Sequence, residues 1–195
     1  SLINQGFDAK VVDFDQNLPS EISAFGPDVV WPLVHGSLGE DGSLQSLLEG
    51  VGVPYVGSTP AQAMLASNKP TAKALVGAAG LDTPGWIALP QLLFRQLGAH
   101  NVLGMINSSL TFPLVVKPSS GGSALGMSRA QDPGDLRSAM VDAFSYEEHV
   151  MLERFIEGRD IAVSVVDLDE GPIALPPVEV ATDDGHYDYD ARYTT

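Results

Sequence analysis

The chain has 195 residues, of which 44% are hydrophobic, and this is enough to build the cores of one or two domains. Its 25 acidic residues outnumber 10 lysines and arginines, and the net charge of -15 argues against nucleic acid and anionic membranes as partners. Because the sequence has no cysteine, no signal-peptide pattern and no apolar run of membrane-spanning length, we expect a cytoplasmic protein without disulfides.

The first third of the chain has the pattern of an α/β protein. Short apolar runs predict strands at 9–14, 28–34 and 53–56, and Leu44, Leu47 and Leu48 predict a helix over 42–49. Strands that alternate with helices at this spacing predict a mostly parallel sheet. Residues 2–6 have the pattern of a helix end, so we expect that a strand preceding this helix is missing.

Helices are predicted in the middle of the chain over residues 61–66 and 69–79. Asn68 suits the N-cap of the second helix, with Pro70 in its first turn. A strand is predicted at 86–88. The segment 89–111 is expected to hold only weak helices, since Gly98 and Gly104 would interrupt a long one, and its pattern indicates no role.

From residue 112 onward the pattern changes to α+β. Asp132 and Pro133 are typical of the start of a helix, which is predicted over 135–144. Strands are predicted at 114–117, 125–128, 150–154, 160–166, 173–175 and 177–180. A polar and aromatic segment without core periodicity follows over 182–195.

A lysine at the end of one predicted strand precedes a loop of small residues. Lys117 ends the strand, and the loop that follows contains Gly121, Gly122 and Gly126. Small residues let backbone N–H groups approach a phosphate closely, and the lysine adds a compact positive charge. The order differs from a Walker A loop, in which the lysine follows the glycines. The pattern by itself is compatible with a phosphate loop between two strands.

Two earlier segments carry further candidates. His35 and Glu40 lie in a glycine-rich turn after a predicted strand, where open α/β sheets bind ligands, and they would suit an amino group or a proton relay. A tight turn in which Asp41 or Ser43 caps the next helix is an equal alternative. Lys69 lies at a helix start, which favours anions, so an anion-binding role is open beside the commoner solvated surface lysine.

Two later segments have the pattern of a nucleotide cleft. In residues 151–160 the connection between two strands has a backbone suited to pair with a base edge, and Asp160 suits ribose hydroxyls. An ordinary hairpin with a charged rim is the alternative. Residues 187–193 are dense in aromatic and charged side chains, which is typical of loops that close over ligands or of an acidic disordered tail.

Taken in chain order, these segments resemble the D-alanine–D-alanine ligases of the ATP-grasp superfamily. The resemblance is carried by 35–45, 54–58, 68–73, 116–118, 122–128, 153–160 and 187–193. It implies an α/β fold with a partial parallel-sheet domain over 1–67 and a partial ATP-grasp domain over 68–195. The small α+β lid of the second domain would span about 113–171, and its mobile loop about 182–195.

The resemblance implies that ATP and D-alanine are the substrates and that two D-alanines are joined through an acyl phosphate for peptidoglycan synthesis. Lys69 and Lys117 would contact the ATP phosphates, with Gly122 in the loop that closes over them. Glu153 would accept a hydrogen bond from the adenine amino group, and Asp160 would hold the ribose. The backbone that would pair with the adenine ring belongs to Arg154, Phe155 and Ile156.

The remaining roles concern the amino-acid substrate. Ser123 would help to position the first D-alanine and would bond to Tyr193 of the mobile loop. His35 and Glu40 would support substrate binding, and Arg192 would lie near the phosphates. Departures from the family pattern are Asp160 for glutamate, Arg192 for lysine, Ala124 for serine, and a longer 89–111 segment.

The resemblance also implies parts that this sequence does not contain. The first strand and its glycine-rich loop would precede Ser1, and the ligands of Mg²⁺ would follow Thr195, so no metal ligand is expected in this chain and we expect it to be inactive alone. A homodimer is expected. Ligases that form D-alanyl–D-lactate or D-alanyl–D-serine, and a non-catalytic nucleotide-binding module, stay open as alternatives.

Overall fold

The computed structural model of the protein describes residues 2–168 and 170–181. The chain divides into two compact units, Ser1–Met64 and Leu65–Thr195. The domain division expected at residues 67 and 68, the lid boundaries and the mobile loop stay predictions. Residues 182–195 lie outside the described part of the chain.

The first unit is built mainly of short helices. A 3-10 helix over Ile3–Gln5 ends at Gly6, which agrees with the predicted helix end. The helices that follow are α1 (Leu18–Phe25), α2 (Ser37–Glu40), α3 (Ser43–Gly50) and the start of α4 (Pro60–Ser67). Helices α3 and α4 confirm the predictions over 42–49 and 61–66, whereas α1 and α2 were not predicted.

The three strands predicted in the first unit are wrong as strands. In place of two of them there is a single parallel bridge between Val30 and Tyr55, in which Val30 N–H donates to Pro54 O at 2.8 Å and Val56 N–H to Val30 O at 2.9 Å. No strand forms at 9–14, where Val11 is exposed. An extended segment becomes a strand only where a neighbour satisfies its backbone groups, and no described segment does so for residues 9–14.

Two helices of the second unit begin at the N-caps that the sequence predicts, although the later one starts two residues before its predicted range. Helix α5 (Lys69–Ala78) is capped by Asn68, whose Oδ1 accepts from Thr71 N–H at 2.9 Å. Helix α8 (Pro133–Phe144) is capped by Asp132, whose Oδ1 accepts from Gly134 N–H at 2.7 Å. Both predicted caps are therefore confirmed.

The 89–111 segment is more regular than its sequence indicates. Gly98 separates α6 (Gln91–Leu97) from α7 (Ala99–Ser109), as predicted, but Gly104 lies inside α7 and does not break it. Val102 and Ile106 of α7 are buried in the main core. Their burial outweighs the cost of about 1 kcal/mol for a glycine within a helix.

A four-stranded antiparallel sheet forms the centre of the second unit. The strands are β1 (Trp86–Pro90), β2 (Leu114–Pro118), β3 (Ser128–Ala130) and β4 (His149–Arg154). Their spatial order is β1–β4–β2–β3, and α8 packs against β2, β3 and β4. The core lies between α8 and one sheet face and includes Leu114, Val116, Val150 and Leu152.

The strands after residue 159 pair among themselves. Strand β5 (Asp160–Ala162) pairs with β8 (Val178–Val180), and β6 (Val165–Leu168) pairs with β7 (Gly171–Ala174). The single strand predicted at 160–166 is therefore two strands with different partners. The alternative of a hairpin between β4 and β5 is wrong, because β4 lies between β1 and β2.

Candidate functional site

The sheet of the second unit carries charged side chains on the face opposite its core. Leu114 and Val116 of β2 are buried in the core, so Lys117 points to the other face, as alternation along a strand requires. Glu153 of β4 stands opposite Val115 in the antiparallel register and shares that face. Two residues that the sequence singled out separately are thus brought together by the pairing of β2 with β4.

Two lysines hold the carboxylate of Glu153. Lys117 Nζ donates to Glu153 Oε1, and Lys73 Nζ of α5 lies 2.9 Å from Glu153 Oε2. Lys73 also donates to Thr83 Oγ1. The exposed fractions of the three side chains are only 14% for Lys73 and Glu153 and 19% for Lys117, so this cluster is largely removed from solvent.

The lysines keep Glu153 ionised. Burial by itself would raise the pKa of the Glu153 carboxyl, but the hydrogen bonds and positive charges of Lys117 and Lys73 outweigh burial and hold that pKa below its ordinary value. At neutral pH this group is a pure hydrogen-bond acceptor with more than one lone-pair direction. It is suited to accept a hydrogen bond from an amino group.

Lys69 begins α5 and lies against the glycine loop. Its backbone N–H donates to Ser119 O at 2.8 Å, and its Nζ donates to Ser120 O at 2.9 Å and to Gly121 O at 2.8 Å. From the other side, Ser120 N–H donates to Glu147 Oε2 at 2.7 Å. The loop is thereby tied to α5 and to the segment before β4, with a cation beside it.

The loop itself has an unusual backbone. The strand predicted at 125–128 begins only at Ser128, because residues 123–126 form a turn. Ser123 (φ 56°) and Ala124 (φ 57°) are two successive left-handed residues that are not glycine, a conformation that costs roughly 1–2 kcal/mol for each. Such strain is concentrated at functional sites.

The connection after β4 offers fewer backbone donors than the sequence implies. Arg154 N–H already donates to Gly85 O and Phe155 N–H to Pro113 O, both at 2.9 Å. The N–H of Ile156 has no acceptor among residues 2–168 and 170–181. Of the three N–H groups in the backbone expected to pair with a base, that of Ile156 is thus the one available. Asp160 lies further on, exposed at the start of β5.

The first unit holds the pair His35 and Glu40. The short helix α2 brings His35 Nδ1 to 3.8 Å from Glu40 Oε1, and the side chains are 80% and 37% exposed. At this distance and exposure the pair is a weak solvated contact. Asp41 Oδ1 accepts from Ser43 N–H at 2.8 Å, but the N-cap of α3 is Gly42, so neither Asp41 nor Ser43 is the capping residue that the alternative predicted.

Two predicted site residues, a metal site and a membrane span are the remaining features to locate in the fold. Tyr193 and Arg192 lie outside the described residues. Residues 2–168 and 170–181 contain no group of three or more His, Asp or Glu side chains that could hold a metal ion. Within the same ranges, no helix is long and apolar enough to cross a membrane.

Sequence reasoning missed Lys73, Thr83 and Glu147. Lys73 carries a detectable signal, because it follows Lys69 by four residues and therefore lies on the same face of α5. Thr83 and Glu147 carry none, since their contacts with Lys73 and Ser120 join segments that are far apart in the chain.

A cavity of about 260 Å³ lies elsewhere, among α6, α7 and α8. Its lining includes Phe94, Leu103 and Met140, and it contains none of the site residues predicted from the sequence. Helix α8 packs on the core face of the sheet, and the Lys117–Glu153 pair lies on the other face. The cavity and the ion pair are therefore on opposite sides of the sheet.

Family models and curated proteins match the chain along most of its length. A model described as the D-ala D-ala ligase C-terminus matches residues 75–195, and one described as the D-ala D-ala ligase N-terminus matches residues 7–58. The D-alanine--D-alanine ligase of Geobacter sulfurreducens is 34% identical over 194 residues, covering 100% of this chain and 58% of that protein. The D-alanine--D-alanine ligase of Geobacillus kaustophilus is 37% identical over 166 residues, covering 85% of this chain and 45% of that protein.

Solved structures agree with this similarity. The VanG D-Ala:D-Ser ligase from Enterococcus faecalis superposes with a TM-score of 0.73 at 30% identity, covering 86% of this chain and 47% of that one. The D-Alanine-D-Alanine Ligase from Helicobacter pylori superposes with a TM-score of 0.68 at 29% identity, covering 81% of this chain and 48% of that one. The chain thus spans 58% or less of the length of each of these relatives.

Proposed function

This chain belongs to the D-alanine–D-alanine ligase family, and from that premise we propose that the whole protein joins two D-alanines at the expense of ATP for peptidoglycan synthesis. The observation that carries the proposal is the arrangement along α5 and the sheet. A cation lies beside the glycine loop at one end, and an ionised acceptor held by two lysines lies at the other. A nucleotide has the complementary pattern of anionic phosphates and a base with an amino group.

At the phosphate end we assign Lys69 and Lys117, with Gly122 in the covering loop. The contact of Lys69 with the carbonyls of Ser120 and Gly121 supports this assignment. Positive charge and backbone donors are what phosphoryl transfer requires of a protein, because catalysis there is mostly positioning and charge neutralisation.

At the base end we assign Glu153 as acceptor of the adenine amino group. The backbone of Arg154, Phe155 and Ile156 is assigned to the edge of the base. The N–H of Ile156 is the donor of this set, since the other two N–H groups are bonded within the protein. Asp160 is assigned to the ribose hydroxyls. Arg129, whose guanidinium carbon lies 3.8 Å from the ring centroid of Phe155, supports a fixed orientation of this connection.

For the amino-acid substrates we propose Ser123 with Tyr193 for the first D-alanine, Arg192 near the phosphates, and His35 and Glu40 as supporting groups. In the proposed reaction the carboxylate oxygen of the first D-alanine attacks the γ-phosphorus of ATP, and ADP leaves. The amine of the second D-alanine then attacks the acyl carbon and inorganic phosphate leaves, so the peptide bond forms with loss of a proton. Mg²⁺ belongs to this proposal as the partner of the ATP phosphates.

Two measurements test the proposal. For the complete gene product we expect ADP release that depends on D-alanine, with D-alanyl–D-alanine detected by mass spectrometry. For the 195-residue chain we expect calorimetric binding of ADP that weakens at least tenfold in Lys117→Ala but not in Lys10→Ala, since Lys10 contacts Glu21 elsewhere. Absence of both ADP binding and ADP release would exclude the function.

A D-alanyl–D-serine ligase is the second candidate, because a solved structure similar to this chain is a D-Ala:D-Ser ligase. Competition between D-alanine and D-serine as second substrate, read from the masses of the products, decides between the two. We also propose a cytoplasmic homodimer, as the family resemblance implies. Light scattering coupled to gel filtration tests the dimer.

A further inference from the structure

We propose that Lys73 is a positioning residue of the base subsite, which holds the Glu153 carboxylate in place while Lys117 moves to the phosphates. The inference rests on the proposed nucleotide function and adds a residue to it. It starts from the fact that both oxygens of Glu153 are engaged, Oε1 by Lys117 and Oε2 by Lys73. Each oxygen keeps a further lone-pair direction, and the two lysines fix the direction in which the carboxylate points.

Lys117 is assigned to the phosphates, and yet it contacts Oε1 of Glu153. When the nucleotide draws Lys117 towards a phosphate, this contact lengthens, and Oε1 gains room for the amino group of the base. Oε2 stays with Lys73. Lys73 is therefore the partner of Glu153 that the nucleotide leaves in place.

The position of Lys73 suits a residue that remains bonded to Glu153 when the nucleotide binds. Lys73 also donates to Thr83 Oγ1, and its side chain is 14% exposed, so it is held from two sides. It follows Lys69 by one helical turn, which separates the two residues by about 6 Å along the axis of α5. The same helix thus carries one lysine at the loop and another at Glu153.

Without Lys73 the departure of Lys117 would leave Glu153 as a largely buried carboxylate with no cation. An unpaired buried charge is strongly disfavoured, so either Lys117 would stay on Glu153 or the carboxyl would take up a proton. In the first case Lys117 is withheld from the phosphates, and in the second the neutral carboxyl accepts a hydrogen bond from the base more weakly than the carboxylate does. Lys73 therefore acts through Glu153 and needs no contact with the nucleotide.

This role makes a prediction about base selectivity. Adenine presents an amino donor at the position where guanine presents a carbonyl oxygen, and a carboxylate accepts from the first and repels the second. Loss of Lys73 should thus weaken ADP binding more than GDP binding. A lysine that merely stabilises the fold would weaken both nucleotides alike.

The test measures the dissociation constants of ADP and GDP for the 195-residue chain by calorimetry. We expect Lys73→Met to reduce the preference for ADP about tenfold and Lys73→Arg to restore most of it, because arginine keeps the charge. In a Glu153→Gln background, Lys73→Met should have no further effect on the preference. Lys10→Met removes an exposed lysine paired with Glu21 and is the matched control. It should leave the preference for ADP over GDP unchanged.

Each outcome has a distinct meaning. If the unmodified chain binds ADP with preference and folded Lys73→Met keeps that preference, the role of Lys73 is overturned while the proposed function stands. If the unmodified chain binds neither nucleotide, the role of Lys73 is overturned, and ADP release by the complete gene product decides the proposed function separately. If Lys73→Met does not fold, Thr83→Val takes its place. It removes the second contact of Lys73 and should reduce the preference about threefold, and an unchanged preference in that variant overturns the inference.

Discussion

Lys117 of β2 and Glu153 of β4 form a hydrogen-bonded ion pair across the antiparallel ladder, although 36 positions separate them in sequence. In the register of the two strands Lys117 stands opposite Met151, and Glu153 stands opposite Val115, so the pair is diagonal. A shift of the register by one residue would turn one of the two side chains to the core face. The ion pair therefore exists only with the register that also buries Leu114, Val116 and Leu152.

Replacing Glu153 by glutamine should destabilise the fold. Glu153→Gln keeps the shape of the side chain but leaves Lys117 and Lys73 without an anion, and a charged hydrogen bond contributes roughly 1.5–3 kcal/mol. We expect the free energy of unfolding in urea to fall by about 2 kcal/mol. Glu49→Gln changes an exposed carboxylate that accepts from Tyr55 Oη and should cost less than about 0.5 kcal/mol. Equal losses in both variants would contradict this.

The stabilisation by Glu153 should disappear in acid. Because the lysines hold its pKa in the folded protein below the ordinary value of 4.5, the folded state binds this proton less readily than the unfolded chain. The contribution is therefore complete above about pH 4.5 and is lost as the pH falls through the lowered value. The difference in unfolding free energy between the unmodified chain and Glu153→Gln should be constant from pH 7 to 5 and shrink below 4.5. A constant difference down to pH 2 would contradict the assignment.

Helices and their caps could be predicted from the sequence because their signals are local. Asn68 and Asp132 each supply a side-chain acceptor within three residues of the N–H that it caps, and both caps form. Helix α7 shows the limit of such signals. Gly104 weakens the local preference for a helix, but burial of Val102 and Ile106 against the sheet decides the outcome.

Strand positions were less predictable, because pairing depends on distant residues. The runs at 9–14 and 28–34 have the composition of strands but find no extended partner in the described residues, apart from the bridge of Val30 with Tyr55. The candidate site follows the same rule. Lys117 and Glu153 could be named singly from their motifs, whereas the contacts of Lys73 with Glu153 and Thr83 depend on how α5 lies against the sheet.

Gly126 in the glycine loop should not tolerate a side chain. Its φ is +67°, and a Cβ there would lie 2.5 Å from Tyr146 Cδ2 and 3.1 Å from Pro118 Cγ. We expect Gly126→Ala to lower the free energy of unfolding by about 1–3 kcal/mol, since both the left-handed backbone and the overlap are costly. Gly121→Ala has a similar φ of +77° but nothing within 4 Å, so it isolates the backbone cost. An equal loss in the two variants would show that the contact with Tyr146 is unimportant.

The start of α8 depends on one carboxylate. Asp132 Oδ1 accepts from Gly134 N–H at 2.7 Å and from Asp135 N–H at 3.3 Å, which satisfies two of the donors that a helix start leaves open. Because α8 covers three strands of the sheet, Asp132→Ala should lower the free energy of unfolding by about 1 kcal/mol and the melting temperature by roughly 2–4 °C.

Asp142, in the last turn of the same helix, is the matched control for that change. A negative charge near the carboxyl end opposes the helix dipole, so Asp142→Ala should be neutral or slightly stabilising. Calorimetric melting curves of the two variants therefore distinguish capping from loss of charge. If Asp142→Ala lowers the melting temperature as much as Asp132→Ala, net charge and not the cap accounts for the loss. If neither variant changes it, the unfolding of α8 is not coupled to that of the sheet.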